Sequence, residues 1–174
     1  ERSVVASVRY RPSRFSEGQV HRLVRDNLHI AIAAARSRGT NVRHTLFSGP
    51  PGLGKTTLAL AIASEMNSEL IHLQGDSLPV ASLREILAER INPGCVLFID
   101  EVHRLQGAAA ELLYGPLEDG RVSIEGEEIR LPPFTSVAAT TNMGRMPAPL
   151  RARYVQQFNL DFLRVEDLAT VAWF

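Results

Sequence analysis

Apolar residues recur at spacings of three and four through Val20, Leu23, Val24, Leu28 and Ile32, which predicts an amphipathic helix. The pattern runs into an alanine-rich stretch and ends near Arg38-Gly39, where the glycine reads as a helix stop. Before it, residues 1–16 read as an extended arm containing Pro12. Beyond it, short apolar runs alternate with helical patterns. His44–Ser48 predicts a strand, Gly49–Gly54 a glycine- and proline-rich loop, and Lys55–Met66 a helix rich in Leu and Ala. Leu70–Leu73 predicts a second strand and Ser82–Arg90 another helix. Val96–Ile99 and Phe134–Thr141 are continuous apolar runs of the fully buried kind. Gln106–Leu113 reads as helix. Arg121–Ile124 and Glu128–Leu131 flank Glu125-Gly126 as a hairpin. Pro147 and Pro149 are expected to break the chain before Leu150, and Val165–Trp173 begins a last helix. Strands alternating with helices imply an α/β fold with a parallel sheet covered on both faces. Ligands of such sheets bind beyond the carboxyl ends of the strands.

The chain has 174 residues, about one domain's worth, and needs neither disulfides nor metal to bury a core. At 45% hydrophobic and 22% charged residues it has the composition of a soluble globular protein. No apolar run approaches the roughly 18 residues of a membrane span, and no leader pattern is visible, although the chain begins at Glu1 rather than Met. The lone Cys95 lies in an apolar run, so a buried free thiol and a reducing, cytoplasmic location are expected.

Net charge is zero, so bulk charge does not argue for nucleic-acid binding. Its distribution is uneven. Residues 1–43 carry nine Arg against Glu1, Glu17 and Asp26, a net of +6. Residues 76–128 carry eleven acids against four Arg, a net of −7. These are either two solvated surfaces or complementary faces of neighbouring subunits. Of the nineteen basic residues, Lys55 is the single Lys. A position that keeps a compact ammonium in so arginine-rich a chain points to a need for it.

Gly49-Pro-Pro-Gly-Leu-Gly-Lys55-Thr56 matches the phosphate-loop pattern in full. Its glycines let consecutive backbone N–H groups turn inward onto phosphate oxygens, and the following helix directs its positive end at the same anion. Gly49, Pro51, Gly52, Leu53, Gly54, Lys55, Thr56 and Thr57 are therefore the expected nucleotide-binding residues. Lys55 would reach the β- and γ-phosphates of ATP, and the Thr56 hydroxyl would ligate Mg²⁺. Asp100 and Glu101, at the end of the apolar run Val96–Ile99, supply a second anchor. Asp100 is the expected metal carboxylate and Glu101 the base for the attacking water. A surface Asp-Glu pair is the alternative, which the upstream phosphate loop disfavours. His103 reads as a surface residue rather than a supporting group. Thr140-Thr141-Asn142 ends a buried strand and offers a polar side chain between the anchors, or a cap for the next turn. Arg151 and Arg153 are either solvated or supplied to a neighbour's ATP as an arginine finger.

From Arg11-Pro12 to Asp161-Phe162 the chain resembles RuvB, a family of hexameric AAA+ motors that drive Holliday-junction branch migration. The matching strings are GPPGLGKTTLAL (49–60), LFIDEVHRLQ (97–106), ELLYGPLEDG (111–120) and LPPFTS (131–136), with Ala139-Thr140-Thr141 and PLRARY (149–154). The first string is shared by many AAA+ proteins. The second to fourth are much more specific. The resemblance implies a three-layer α/β/α P-loop domain over 1–164, including the N-terminal arm, and the start of a helical lid over 165–174. It implies an ATP- and Mg²⁺-dependent ATPase of the DNA translocase type, active in recombination and repair as a ring of copies. It assigns Lys55 and Thr56 to phosphate and metal, Asp100 and Glu101 to metal and catalysis, and Thr141 to the sensor at the strand end. Asn142 is the residue type many other AAA+ proteins place there. Arg153, ahead of Arg151, aligns with the finger. Tyr10, Arg11 and Pro12, with Gly18-Gln19, occupy the region flanking adenine.

Four departures stand out. Asn142 replaces an Arg of the family, and Arg153-Tyr154-Val155 stands where RuvB reads Arg-Phe-Gly. The segment between Asp119 and Leu131 is shorter, with a charged tip Glu125-Gly126-Glu127-Glu128 where RuvB carries the apolar hairpin that docks on RuvA. That puts RuvA docking in question. The chain also stops where RuvB begins its lid and its DNA-contacting winged helix, so DNA contact is expected through regions beyond this chain. Two rival functions follow: an ATPase acting on a protein or DNA–protein assembly without RuvA, and a nucleotide-bound scaffold that does not turn over.

Overall fold

The structure, a computed structural model, describes residues 22–124 and 126–160. The extended arm with Tyr10, Arg11, Pro12 and Gly18-Gln19, the hairpin-tip Glu125 and the expected last helix of the lid lie outside the described residues.

Five parallel strands form one sheet: β1 (Thr45–Ser48), β2 (Leu70–Gln74), β3 (Val96–Asp100), β6 (Thr135–Thr140) and β7 (Gln156–Asn159), in spatial order β2-β3-β6-β1-β7. β4 (Arg121–Ile124) and β5 (Glu127–Arg130) make a separate antiparallel hairpin. Alternation along the strands divides the core in two. Leu46, Leu97, Ile99 and Ala138 join one buried cluster with Leu83, Ile86 and Leu87 of α3 (Val80–Glu89), Ala109 and Ala110 of α4 (Gly107–Leu112), Leu117 of α5 (Tyr114–Glu118) and Leu150 of α6 (Ala148–Arg153). Phe47, Val96, Phe98, Val137 and Ala139 join the other, with α1 (Arg22–Arg38) and α2 (Lys55–Glu65). The result is a three-layer α/β/α sandwich with helices on both faces, as alternating strands and helices predict.

Three elements depart from the expectation. Pro147 and Pro149 do not break the chain: Pro147 caps α6 and Pro149 lies in its first turn. Proline lacks only an N–H that a helix start leaves unpaired anyway. α5 follows directly on α4, where one helix was expected to end. β7 was not anticipated, because Gln-Gln-Phe-Asn has no apolar run. It is an edge strand whose Phe158 stacks on Phe47 at 5.7 Å.

α6 is tied to the sheet by Tyr154, which is fully buried with its hydroxyl 3.1 Å from Ser136 Oγ. Burial pushes the phenol up to about 12, against a smaller opposing pull from the Ser136 hydrogen bond, so it is neutral at physiological pH. The Ser136 N–H donates at 2.9 Å to Nδ1 of His44, whose imidazole burial lowers to about 4. Tyr154→Phe leaves the buried Ser136 hydroxyl without this partner, and the expected loss is about 1–3 kcal/mol in urea unfolding. Adding Ser136→Ala should recover most of it. Equal stability of Tyr154→Phe and the parent chain would show that the hydrogen bond is energetically idle.

Candidate active site

Register aligns the carboxyl ends of the strands. Ser48 pairs with Thr140 and Asn159, and Gln74 pairs with Asp100. The residues that follow, Gly49, Gly75, Glu101, Thr141 and Leu160, therefore emerge along one rim. The phosphate loop leaves β1 there. Gly49, Gly52 and Gly54 have φ of 142°, 82° and 80°, a region that side chains rarely adopt. A Cβ at Gly49 would also run into the Leu160 carbonyl. The loop feeds α2, which Gly54 precedes without a side-chain cap, leaving the first-turn N–H groups open for an anion.

Lys55 is 7% exposed and folds back onto its own loop, donating to the carbonyls of Gly49 at 2.8 Å and Pro50 at 2.7 Å. Burial lowers its pKa, while the Glu101 and Asp100 carboxylates pull the other way. A phosphate arriving beside it favours the charged form. Thr56 donates through Oγ1 to Asp100 Oδ2 at 3.3 Å. The sequence-predicted metal pair is thus in contact. A hydroxyl and a carboxylate oxygen side by side are hard donors of the type a Mg²⁺ ion takes. Pro51, Gly52 and Thr57 are exposed and Leu53 is half-buried, so the outer edge of the loop faces solvent.

Glu101 has φ 48° and ψ 48°, and with Asn67 it is one of two non-glycine residues at positive φ among those described. Asn67 follows the end of α2, where left-handed Asn is usual. Glu101 has no such excuse, and strain of this sort clusters at functional sites. Its N–H donates to Asp100 Oδ1 at 2.9 Å, and its Oε2 accepts from Thr141 N at 3.1 Å and Thr141 Oγ1 at 2.9 Å. Thr141 is therefore the strand-end residue brought to the carboxylate. The side chain of Asn142 is exposed, and its N–H donates to Thr140 Oγ1.

Two residues of the site were missed or misread. The expectation that His103 lies on the surface is wrong. Its side chain is 5% exposed, and Nδ1 lies 2.8 Å from Thr140 Oγ1 and 3.1 Å from Glu101 Oε2. The tight turn after β3 folds it inward, and its place three residues beyond Asp100 was the available signal. Gly75 went unnoticed. Its N–H donates to Asp100 O at 2.8 Å, and a Cβ there would collide with the Glu101 and Asp100 carbonyls, so only glycine lets β2 close on the acidic turn.

Arg151 and Arg153 lie on α6. Arg151 is exposed. Arg153 donates through Nε to Tyr114 O at 3.1 Å and through Nη1 to Pro149 O at 2.7 Å. It also pairs with Glu118 and lies 4.5 Å over the Tyr114 ring. None of these partners belongs to the phosphate loop.

Residues 10–160 match the family model described as the Holliday junction DNA helicase RuvB P-loop domain. The Holliday junction branch migration complex subunit RuvB of Prosthecochloris aestuarii is 44% identical over 169 residues, 92% of this chain and 49% of that protein. The Koribacter versatilis subunit of the same name is 45% identical over 156 residues, 85% of this chain and 43% of that protein. The Thermotoga maritima RuvB Holliday junction branch migration motor superposes with a TM-score of 0.81 at 41% identity, covering 92% of this chain and 52% of that structure. The chain spans about half the length of the curated relatives it matches. No helix among the described residues is long and apolar enough to cross a membrane. With its phosphate loop, acidic turn and parallel sheet matched over most of its length, the chain belongs to the RuvB P-loop domain family.

Proposed function

We propose that this chain is the ATP-hydrolysing core of a AAA+ motor subunit that works on DNA, as branch migration requires, in a ring of copies. The reading is carried by the contact between Thr56 and Asp100, with Glu101 adjacent and held by Thr141. On this reading the amides of residues 49–56 receive the terminal phosphates of ATP, and Lys55 exchanges its carbonyl partners for phosphate oxygens. Thr56 and Asp100 would hold Mg²⁺, which when bound offsets charge on the β- and γ-phosphate oxygens. Glu101 accepts a proton from the water whose oxygen bonds to the γ-phosphorus as the bridging bond to ADP breaks. Arg153 of a neighbouring copy offsets the departing charge.

The second reading, an ATPase acting on a protein assembly without RuvA, draws support from β5. All four of its residues are exposed, and Glu127, Glu128 and Arg130 are charged. DNA-dependent turnover separates the two. Phosphate release by the full protein should rise several-fold when duplex or four-way junction DNA is added. Turnover indifferent to both DNAs at low salt would reject the DNA motor in favour of the protein remodeller.

A further inference from the structure

Tyr114 and Glu118 open and close the short helix α5, and at a spacing of four they lie on the same side of it. Both meet Arg153 of α6. The Tyr114 carbonyl accepts from Nε at 3.1 Å, the Glu118 carboxylate accepts from Nη2, and the guanidinium lies 4.5 Å over the Tyr114 ring. The Pro149 carbonyl accepts from Nη1 at 2.7 Å. The platform under the guanidinium is itself fixed. Just past Glu118, the N–H groups of Asp119 and Gly120 both donate to the Gly115 carbonyl, at 3.0 Å and 3.1 Å. A Cβ at Gly115 would run into the Arg121 carbonyl, so only glycine lets β4 close on α5.

Docking α6 on the sheet does not call for this ion pair. Leu150 and Tyr154 are fully buried, and the Tyr154 hydroxyl is bonded to Ser136. The Glu118 side chain is 65% exposed, and an ion pair so open to water adds little stability. What the pair does control is the plane of the guanidinium. Backbone carbonyls hold Nε and Nη1, and among the described residues Glu118 is the side chain that holds Nη2. We propose that Glu118 is a positioning residue: it fixes the third nitrogen of Arg153, so that the N–H groups left over are aimed at the ATP of a neighbouring copy. The inference rests on the reading of Arg153 as the finger. A guanidinium held at two nitrogens can still tilt about the line between them, and one held at three cannot. A misplacement of about 1 Å at a reacting charge costs on the order of a hundredfold in rate.

The test compares three variants of the full protein. Glu118→Ala should lower kcat by roughly ten- to a hundredfold, with the dissociation constant for a fluorescent ATP analogue within about twofold. Glu118→Gln keeps an acceptor oxygen at the same reach and should recover most of the loss. Glu118→Met has the same length without the acceptor and should recover little. Mixing supplies the readout that a merely structural role would not move. Lys55→Ala copies carry an intact Glu118–Arg153 pair, so adding them to Glu118→Ala copies should raise turnover per Glu118→Ala copy several-fold. The proposal is overturned if Glu118→Ala keeps the parent rate while Arg153→Ala is inactive, or if Glu118→Gln is as slow as Glu118→Met. It is overturned equally if mixing rescues Arg153→Ala but not Glu118→Ala. Normal turnover of Arg153→Ala alone refutes instead the assignment of the finger, and the two failures are distinct. Should Glu118→Ala fail to fold, the Gln and Met variants carry the comparison, since they match in length and differ in the acceptor.

Discussion

Glu101→Gln binds ATP as tightly as the parent protein and turns it over at least a hundredfold more slowly. That outcome follows from what the substitution keeps and removes. Lys55, the loop amides and the Thr56–Asp100 pair are unchanged, and they are the groups proposed to receive the phosphates and the metal. The amide oxygen of Gln still accepts the two Thr141 donors, so the side chain keeps its place. What is lost is the capacity to take a proton. General-base assistance is worth about 10²–10⁴ in rate, or roughly 3–5 kcal/mol of barrier. The checks are phosphate release against a titration of a fluorescent ATP analogue. Unchanged turnover would remove Glu101 from the reaction. Weakened binding would mean that Glu101 shapes the phosphate site instead.

The phosphate loop was legible because its chemistry is local. One run of eight residues contains the turn, the amides, the ammonium and the threonine hydroxyl, and an apolar strand before it with a helix after it fixes the context. Asp100 and Glu101 were legible at one remove, as carboxylates ending a strand too apolar to be anything but central. The missed features are those that only packing decides. Gly75 looks like any glycine after a strand until β2 is set beside β3 in register and a Cβ there is seen to run into the Glu101 carbonyl. His103 lies two residues beyond a Glu in the left-handed conformation, and its ring meets Thr140 at the end of β6. Sequence pattern has no handle on that. β7 and α6 escaped for a related reason: β7 owes its existence to pairing with β1, and α6 begins at prolines that read as breaks.

Arg153→Ala should lower turnover by about a thousandfold or more, the scale of a lost arginine finger, while each copy's affinity for ATP stays within a few-fold. Arg151→Ala should cost little. The two residues share a short helix, and what separates them is preorganisation. A charge aimed in advance at the transition state stabilises it without reorganising at the moment of reaction. Arg151 is exposed, and no side-chain hydrogen bond or ion pair holds it among the described residues. Arg153 is held through Nε by the Tyr114 carbonyl, through Nη1 by the Pro149 carbonyl and through Nη2 by Glu118, over the face of Tyr114. Three of its five N–H groups are committed to its own chain, which leaves two for an anion on a neighbour. Lysine cannot reproduce that fork, so Arg153→Lys should rescue poorly. Mixing decides whether the finger acts between copies. Arg153→Ala protomers and Lys55→Ala protomers should each be inactive alone. Together they should regain activity, because Arg153 of a Lys55→Ala copy then faces an intact phosphate loop on an Arg153→Ala copy. Light scattering on each variant separates a missing finger from a ring that fails to assemble. If the mixture stays inactive at full assembly while Arg151→Ala abolishes turnover, the finger is Arg151, and the cradle around Arg153 serves only to dock α6 on α5.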